Sequence, residues 1–301
     1  MFRNLKSCAT LKRIGITLGD CAGIGPEIVR AALRSNALPT TAEYVVIGKY
    51  PNCSLGEPTV ETSRAAAAAL EEVVTLARRG ELDAVVTGPI HKARMYEAGF
   101  KFAGQTEFFA DRCGVKSFAM LLTGGKITVA LVTTHIPLSE VPRALKQSEI
   151  VRVGLLLVDF LQSRSNNASR VAVAGLNPHA GESGKLGSEE TKIIAPAVEE
   201  LNNQLSTIDH QLFSGPLSPD TIFHRAAEGE FDGILCMYHD QGLIPLKLHA
   251  FHSGVNVTLG LPFPRTSPDH GTAFEIAGKG VARPNSMIAA INLAVELAQR
   301  K

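Results

Sequence analysis

The sequence predicts an α/β fold built on a mixed sheet. Short runs rich in Val and Ile alternate with longer helical patterns, which argues for strands whose faces are covered by helices. Two of those runs are joined by Gly124-Gly125, a hairpin signal, so one pair is expected to be antiparallel within the sheet. With 301 residues, 45% of them hydrophobic, the chain is long enough to bury two such layers or one large core.

The elements follow in order. IGITL (14–18) reads as a buried strand. It leads through GDCAGIGPEI into a helix over Gly25–Arg34. Pro26 fits the first turn, where its missing N–H costs nothing, and Glu27 complements the helix dipole. YVVIG (44–48) is a strand, and Thr62–Arg79 an Ala-rich helix stopped at Gly80. AVVTG (84–88) is a strand, and Gln105–Arg112 a short helix. FAMLLT (118–123) and ITVALVTT (127–134) form the hairpin. A helix over Gln147–Gln162 leads to SRSNNASR (163–170), a polar surface loop, and then to the strand RVAVAGL (170–176). Helices over Ser188–Gln204 and Pro219–Glu228 precede the strand GILCMY (233–238). The strand VNVTLGL (255–261) and a helix over Ser286–Lys301 close the chain.

Composition excludes several classes. Thirty basic residues against 29 acidic ones leave no global field for nucleic acid or an anionic membrane, although a local basic site stays open. Five scattered cysteines, none in CxxC, read as reduced thiols of a cytoplasmic protein. The basic start MFRNLKSCATLKR lacks the apolar stretch of a signal peptide. No stretch approaches the ~18 unbroken apolar residues of a membrane span.

Chemistry-bearing residues gather just past the strands, where open α/β sheets bind ligands. GDCAGIGPEI can cradle an anion on free backbone N–H groups, but it lacks dinucleotide or P-loop spacing and reads more readily as a plain strand–helix turn. His135 in TTHIPLSEV, His179 in LNPHAGESG and His239 in YHDQGLIPLK each follow a buried strand. One loop histidine is usually structural. Three in the same setting can converge, and three imidazoles with an open position suit a catalytic divalent metal. Lys247, Asn256 and Arg265 lie nearby in sequence and suit a substrate with phosphate and carboxylate groups, though each alone reads as a surface residue. SPDHGTAFEIAGKG (267–280) places a Gly turn before a helix-like stretch, a shape that can hold an adenosine or pyrophosphate group.

Taken in order, GDCAGIGPEI, TGPIHKA, GQTEFFA, TTHIPLSEV, LNPHAGESGKLGSEE, YHDQGLIPLK and NVTLGLPFPRTSPDHGTAFEIAGKG resemble the 4-hydroxythreonine-4-phosphate dehydrogenase family of pyridoxal phosphate synthesis, from about Ile14 onward. The resemblance implies two α/β/α domains with mixed sheets, like those of isocitrate and isopropylmalate dehydrogenases, and an active site in the cleft between them. The expected division is residues 1–125 plus 255–301, carrying the cofactor loop, and 126–254, carrying the histidines.

The resemblance also implies a metal on His135, His179 and His239, and substrate contacts from Gln105, Thr106, Lys247, Asn256 and Arg265. It implies cofactor contacts from His270, Gly271, Thr272 and Ala273, and a homodimer whose sites draw on both subunits. Lys247 and Asp240 are the expected catalytic groups. Lys247 would pair with substrate and move a proton, and Asp240 would support a metal-bound imidazole or serve as a direct ligand or base. The cofactors implied are NAD or NADP and a divalent ion such as zinc, cobalt, magnesium or manganese. Arg283 is a weak pointer to a 2′-phosphate.

The sequence departs from the family pattern in three places. Gln105 stands where His is usual, and His91 where Asn is common. The stretch from Tyr50 to Pro58 is short, so a trimmed loop is expected there. The expected reaction is oxidation of the secondary alcohol of 4-phosphooxy-L-threonine to a β-keto acid that loses carbon dioxide. Gln105 leaves room for 4-phospho-D-threonate or -erythronate, an aromatic cis-dihydrodiol fits the cations poorly, and a phosphate acyltransferase of similar fold is a remote alternative.

Overall fold

The computed structural model describes residues 11–165, 169–205 and 212–300. Part of the predicted 163–170 surface loop lies outside them, as do the first ten residues of the basic start. The first third of the chain runs β1 (Lys12–Thr17), α1 (Gly25–Arg34), β2 (Ala42–Ile47), α2 (Val60–Arg78), β3 (Ala84–Thr87), α3 (Lys92–Glu97) and α4 (Gln105–Cys113). The middle runs β4 (Ala119–Gly124), β5 (Ile127–Leu131), α5 (Val141–Ala144), α6 (Gln147–Arg164), β6 (Val171–Ala174), α7 (Ala195–Leu205), β7 (Phe213–Leu217) and α8 (Pro219–Ala227). It closes with β8 (Gly233–Cys236), α9 (His239–Ala250), β9 (Val255–Leu259), β10 (Arg265–Pro268) and α10 (Asn285–Gln299).

The strands form one sheet in the order β2-β1-β3-β10-β9-β4-β5-β8-β6-β7. Both flanks are parallel, β2-β1-β3-β10 on one side and β5-β8-β6-β7 on the other. The centre is antiparallel, through the pairs β10/β9, β9/β4 and β4/β5. The sheet thus has two parallel flanks joined by an antiparallel middle. The chain crosses from the first flank to the second through the β4–β5 hairpin and comes back on β9. The hairpin turns at Gly125, whose φ of +57° suits glycine.

Parallel strands are covered on both faces, which explains their unbroken apolar runs. Every residue of β3, β5, β6 and β8 is buried. α10 is buried along Met287, Ala290, Ile291, Ala294, Val295 and Ala298 and packs on β10, β3 and β1. On the other flank α6 packs on α7, β8 and β5, and its Leu157 and Leu161 are buried in the same core as Val171, Val173 and Phe213.

Several elements correct the sequence reading. YHDQGLIPLK is the start of α9, not a turn. Gly242 and Pro245 lower the local helix propensity, Pro245 by ~3 kcal/mol in a helix interior, yet Leu243, Leu246 and Gln241 are buried. β7 (FSGPL), β10 (RTSP) and α3 were not expected, because the first two carry Pro and polar residues and the third is one short helix.

Candidate active site

A cavity of about 630 Å³ opens beside the antiparallel centre of the sheet. Its wall includes Gln105 and Thr106 from α4, His135 after β5, Lys247 of α9, Asn256 of β9, Arg265 of β10, and His270 and Gly271. Eight of the expected site residues, drawn from six segments, therefore share one wall. His179, His239, Asp240, Thr272 and Ala273 are outside it. A larger cavity of about 950 Å³, under the β4–β5 hairpin and α10, contains none of the expected site residues.

Arg265 is the electrostatic centre of the wall. Its side chain hydrogen-bonds the Thr258 and Thr87 hydroxyls at 3.2 and 2.5 Å and the Gln105 Oε1 at 2.8 Å. Phe109 lies under the guanidinium, 5.5 Å from ring centroid to Cζ. The residue is 2% exposed, and its Nε is buried without a partner. Every acceptor it has is neutral. Burial pulls its pKa down to about 9, and the nearby Glu107 only partly opposes this. A buried cation without a paired anion is costly, and an anionic ligand relieves that cost. Gln105 is already engaged on both sides, since its Nε2 donates to the Gly88 carbonyl at 3.0 Å. It orients Arg265 as well as facing the cavity.

Lys247 sits 3.0 Å from Asp269 Oδ2, and Asp269 is fixed by its own N–H donating to Ser286 Oγ. The buried Oδ1 of Asn256 has no protein partner. The Lys247 ammonium can donate to an anionic group, and Asn256 Oδ1 can accept from a hydroxyl or ammonium.

His135 and His239 lie together, with ring centroids 5.5 Å apart. Val132 and Thr133 continue the pairing of β5 with β8 by donating to the Cys236 and Met237 carbonyls, which carries the two histidines forward side by side. Burial, then Lys92, then His239 push His135 below the usual histidine range, so its imidazole is neutral at pH 7. Its φ of +49° is an uncommon conformation for a side-chain-bearing residue. His239 Nδ1 meets Asp240 Oδ1 at 2.7 Å, which leaves Nε2 for a ligand.

His179 stands apart from this pair. It opens a turn in which residues 179 to 183 all have positive φ, and each non-glycine among them costs roughly 1–2 kcal/mol. Its turn packs against α8 and β7. Among the described residues, no three His, Cys, Asp or Glu side chains converge in a single copy of the chain. The neutral His135, the oriented His239 and their adjacency nonetheless suit a divalent ion.

Two positioning residues had no local signal in the sequence. Glu190 is 2% exposed and accepts from the backbone N–H groups of Leu176 and Asn177 at 2.8 and 2.7 Å, which clamps the loop that carries His179. Gln241 accepts from Met237 N–H and donates to the Gly175 carbonyl, tying the start of α9 to the end of β6.

The GDCAGIGPEI turn has its N–H groups occupied internally. Asp20 N–H goes to Pro89, Ala22 N–H to the Asp20 carboxylate, Gly23 N–H to the Asp20 carbonyl and Ile24 N–H to the Thr272 carbonyl. It is a structural turn that braces the 270–273 loop. Gly19 there needs its φ of +74°, and a side chain would strike the Pro89 carbonyl. Within the loop, Thr272 is buried as an anchor and Ala273 has a φ of +42°. His270 keeps a buried, unpartnered Nε2, and the space beside Gly271 is open. Those two residues fit a bound cofactor.

The fold is of the isocitrate-dehydrogenase type. The isocitrate dehydrogenase of Methylococcus capsulatus superposes with a TM-score of 0.56 over 96% of this chain and 88% of that one, and at 16% identity it shares the fold alone. The chain belongs to the family described as pyridoxal phosphate biosynthetic protein PdxA, which it matches over residues 20–294. The 4-hydroxythreonine-4-phosphate dehydrogenase of Desulfosudis oleivorans is 42% identical over 95% of this chain and 96% of its own length. The crystal structure of the Klebsiella pneumoniae enzyme of that name has a TM-score of 0.80 at 36% identity, covering 96% of this chain and all of that one.

Proposed function

We propose that this enzyme oxidises the secondary alcohol of 4-phosphooxy-L-threonine, using NAD or NADP and a divalent metal. The resulting β-keto acid loses carbon dioxide to give 3-amino-2-oxopropyl phosphate. The observation that carries the substrate class is Arg265, a buried guanidinium held by neutral acceptors at a cavity wall. It takes an anionic group of the substrate together with Thr106 and Asn256. Lys247 pairs with the substrate at the reacting end and moves the proton, with Asp269 holding its ammonium in place.

His135 and His239 hold the metal, with Asp240 orienting His239, and His179 completes the set in an assembly of two copies. A metal there supplies Lewis-acid polarisation of the substrate oxygen. His270 and Gly271 hold the cofactor, which accepts the hydride, while Thr272 and Ala273 shape their loop. We assign residues 1–125 plus 255–301 to one domain and 126–254 to the other, with a cytoplasmic location.

The homodimer is supported by α9. Ile244, Leu248 and Phe251 are 65%, 89% and 70% exposed at helical spacing on one face, an apolar stripe that water leaves unsatisfied. Among the described residues no helix is long and apolar enough to cross a membrane, so a second protein surface is the fitting cover.

The test follows NADH or NADPH formation with 4-phosphooxy-L-threonine after chelation, with and without added divalent metal. Metal-dependent reduction is expected. Turnover with 4-phospho-D-threonate or -erythronate alone would keep the site and change the substrate, and silence with all three would overturn the proposal.

A further inference from the structure

Two of the scattered cysteines meet in the fold. Cys21 lies in the GDCAGIG turn and Cys53 in the short 50–58 loop, and their Sγ atoms are 3.5 Å apart as free thiols. The loop is pinned there from several sides. Gly56 N–H donates to the Ala22 carbonyl at 2.8 Å, and Cys21 Sγ faces the Pro51 carbonyl. Leu55 packs against Gly278, and Gly56 lies beside the Phe274 carbonyl. The same turn braces the cofactor-loop segment through the bond from Ile24 N–H to the Thr272 carbonyl. The pair thus joins two segments that both touch residues 272–278.

We propose that Cys21 and Cys53 are a redox modification site that closes reversibly to a disulfide with a small-molecule disulfide as oxidant. A bond needs the sulfurs to approach to about 2.05 Å, a shift of ~1.5 Å that the end of a loop can supply. Cys53 is partly exposed and Cys21 is 5% exposed, which sets the order of events. The Cys53 thiolate attacks one sulfur of oxidised glutathione, forms the mixed disulfide and releases one glutathione thiolate. Cys21 then gives up its proton and attacks Cys53 Sγ, which breaks the mixed bond and releases the second glutathione. Two protein thiols and one glutathione disulfide become one protein disulfide and two glutathione molecules. Burial and the neighbouring Cys53 push the Cys21 thiol up to about 12, so the second step is the slow one and quickens at alkaline pH. The closed form pins the loop against residues 274–278, which preorganises the cofactor segment. That consequence rests on assigning the cofactor to His270 and Gly271.

The experiment incubates the full-length native enzyme with oxidised glutathione, blocks free thiols with an alkylating agent and maps the peptides by mass spectrometry. A Cys21–Cys53 cross-linked peptide, reversed by a dithiol reductant and absent in Cys53→Ser, is expected. Full alkylation of both residues after oxidation, or glutathione retained on Cys53 with Cys21 alkylated, would overturn the site. Cys53→Ser should match the reduced wild type in activity and ignore the oxidant. The KM for the nicotinamide cofactor should fall about fivefold on oxidation of the wild type, at the low end of coupling between linked sites. A cross-link with unchanged KM would overturn the link to the cofactor loop and leave the disulfide standing, because the peptide map makes no use of the cofactor.

Discussion

Arg265 donates to the side-chain oxygen of Gln105 at 2.8 Å, and Gln105 donates in turn to the carbonyl of Gly88. A neutral amide thus orients a buried cation. Replacing Arg265 by Met should raise the KM for the phosphorylated substrate about 100-fold, the scale for removing one member of a buried charge pair. Removing an uncompensated buried charge also lifts a desolvation penalty, so the melting temperature should hold or rise. Gln105→Ala should raise KM only about tenfold, near the low end for losing one hydrogen bond to a charged group. Steady-state kinetics and thermal unfolding on the same samples check both, and loss of folding in Arg265→Met would sink the argument.

The pH dependence follows from the same residue. Burial lowers the Arg265 pKa to about 9 in the free enzyme. Below about 9 the side chain is charged and ready for an anion. Above it the folded protein gives up a proton that the unfolded chain keeps, so folding stability gains from this group as pH rises beyond about 9 while anion binding is lost. KM for the substrate should therefore be level up to about pH 8 and climb above about pH 9. Arg265→Met should lack that climb. An identical alkaline limb in the variant would assign the effect elsewhere.

Asp240 holds His239 through Nδ1 at 2.7 Å. Asp240→Asn keeps the shape but removes the charge that raises imidazole basicity. Metal affinity should fall about tenfold, the lower end for losing such a support, while the circular dichroism spectrum is unchanged. Calorimetric titration of the chelated enzyme with a divalent metal reads this directly, and wild-type affinity in the variant would remove Asp240 from the site.

The fold was legible where burial wrote it into composition. β3, β5, β6 and β8 are nearly all-apolar because helices cover both faces, and the Gly-Gly hairpin announced the antiparallel centre. β7 and β10 were hidden because their ladders hold Pro, Gly and Ser, and α9 because Gly242 and Pro245 mask a helix held by buried Gln241. In the site, residue type alone marked His135, Lys247 and Arg265. Glu190 acts through two backbone N–H groups more than ten residues away, and Cys21 meets Cys53 across 32 residues, relations that no local pattern carries.

The proposed dimer and the proposed chemistry are coupled, because both draw on α9. His239 opens the helix and Lys247 points from it into the cavity wall, while Leu248, the next residue, is 89% exposed with Ile244 and Phe251 on the same face. Leu248 contributes almost nothing to the packing of a single copy, so Leu248→Asp should leave the fold and melting behaviour of an isolated chain intact. In a dimer the same substitution places a charge in an apolar contact, which costs several kcal/mol unless paired. Sedimentation velocity should then show a monomer for Leu248→Asp and a dimer for the wild type. On the proposed reading, in which His179 joins the other ligands from a second copy, metal affinity and turnover should fall together in the monomer. A monomeric variant with full metal-dependent activity would show that one copy holds the complete site.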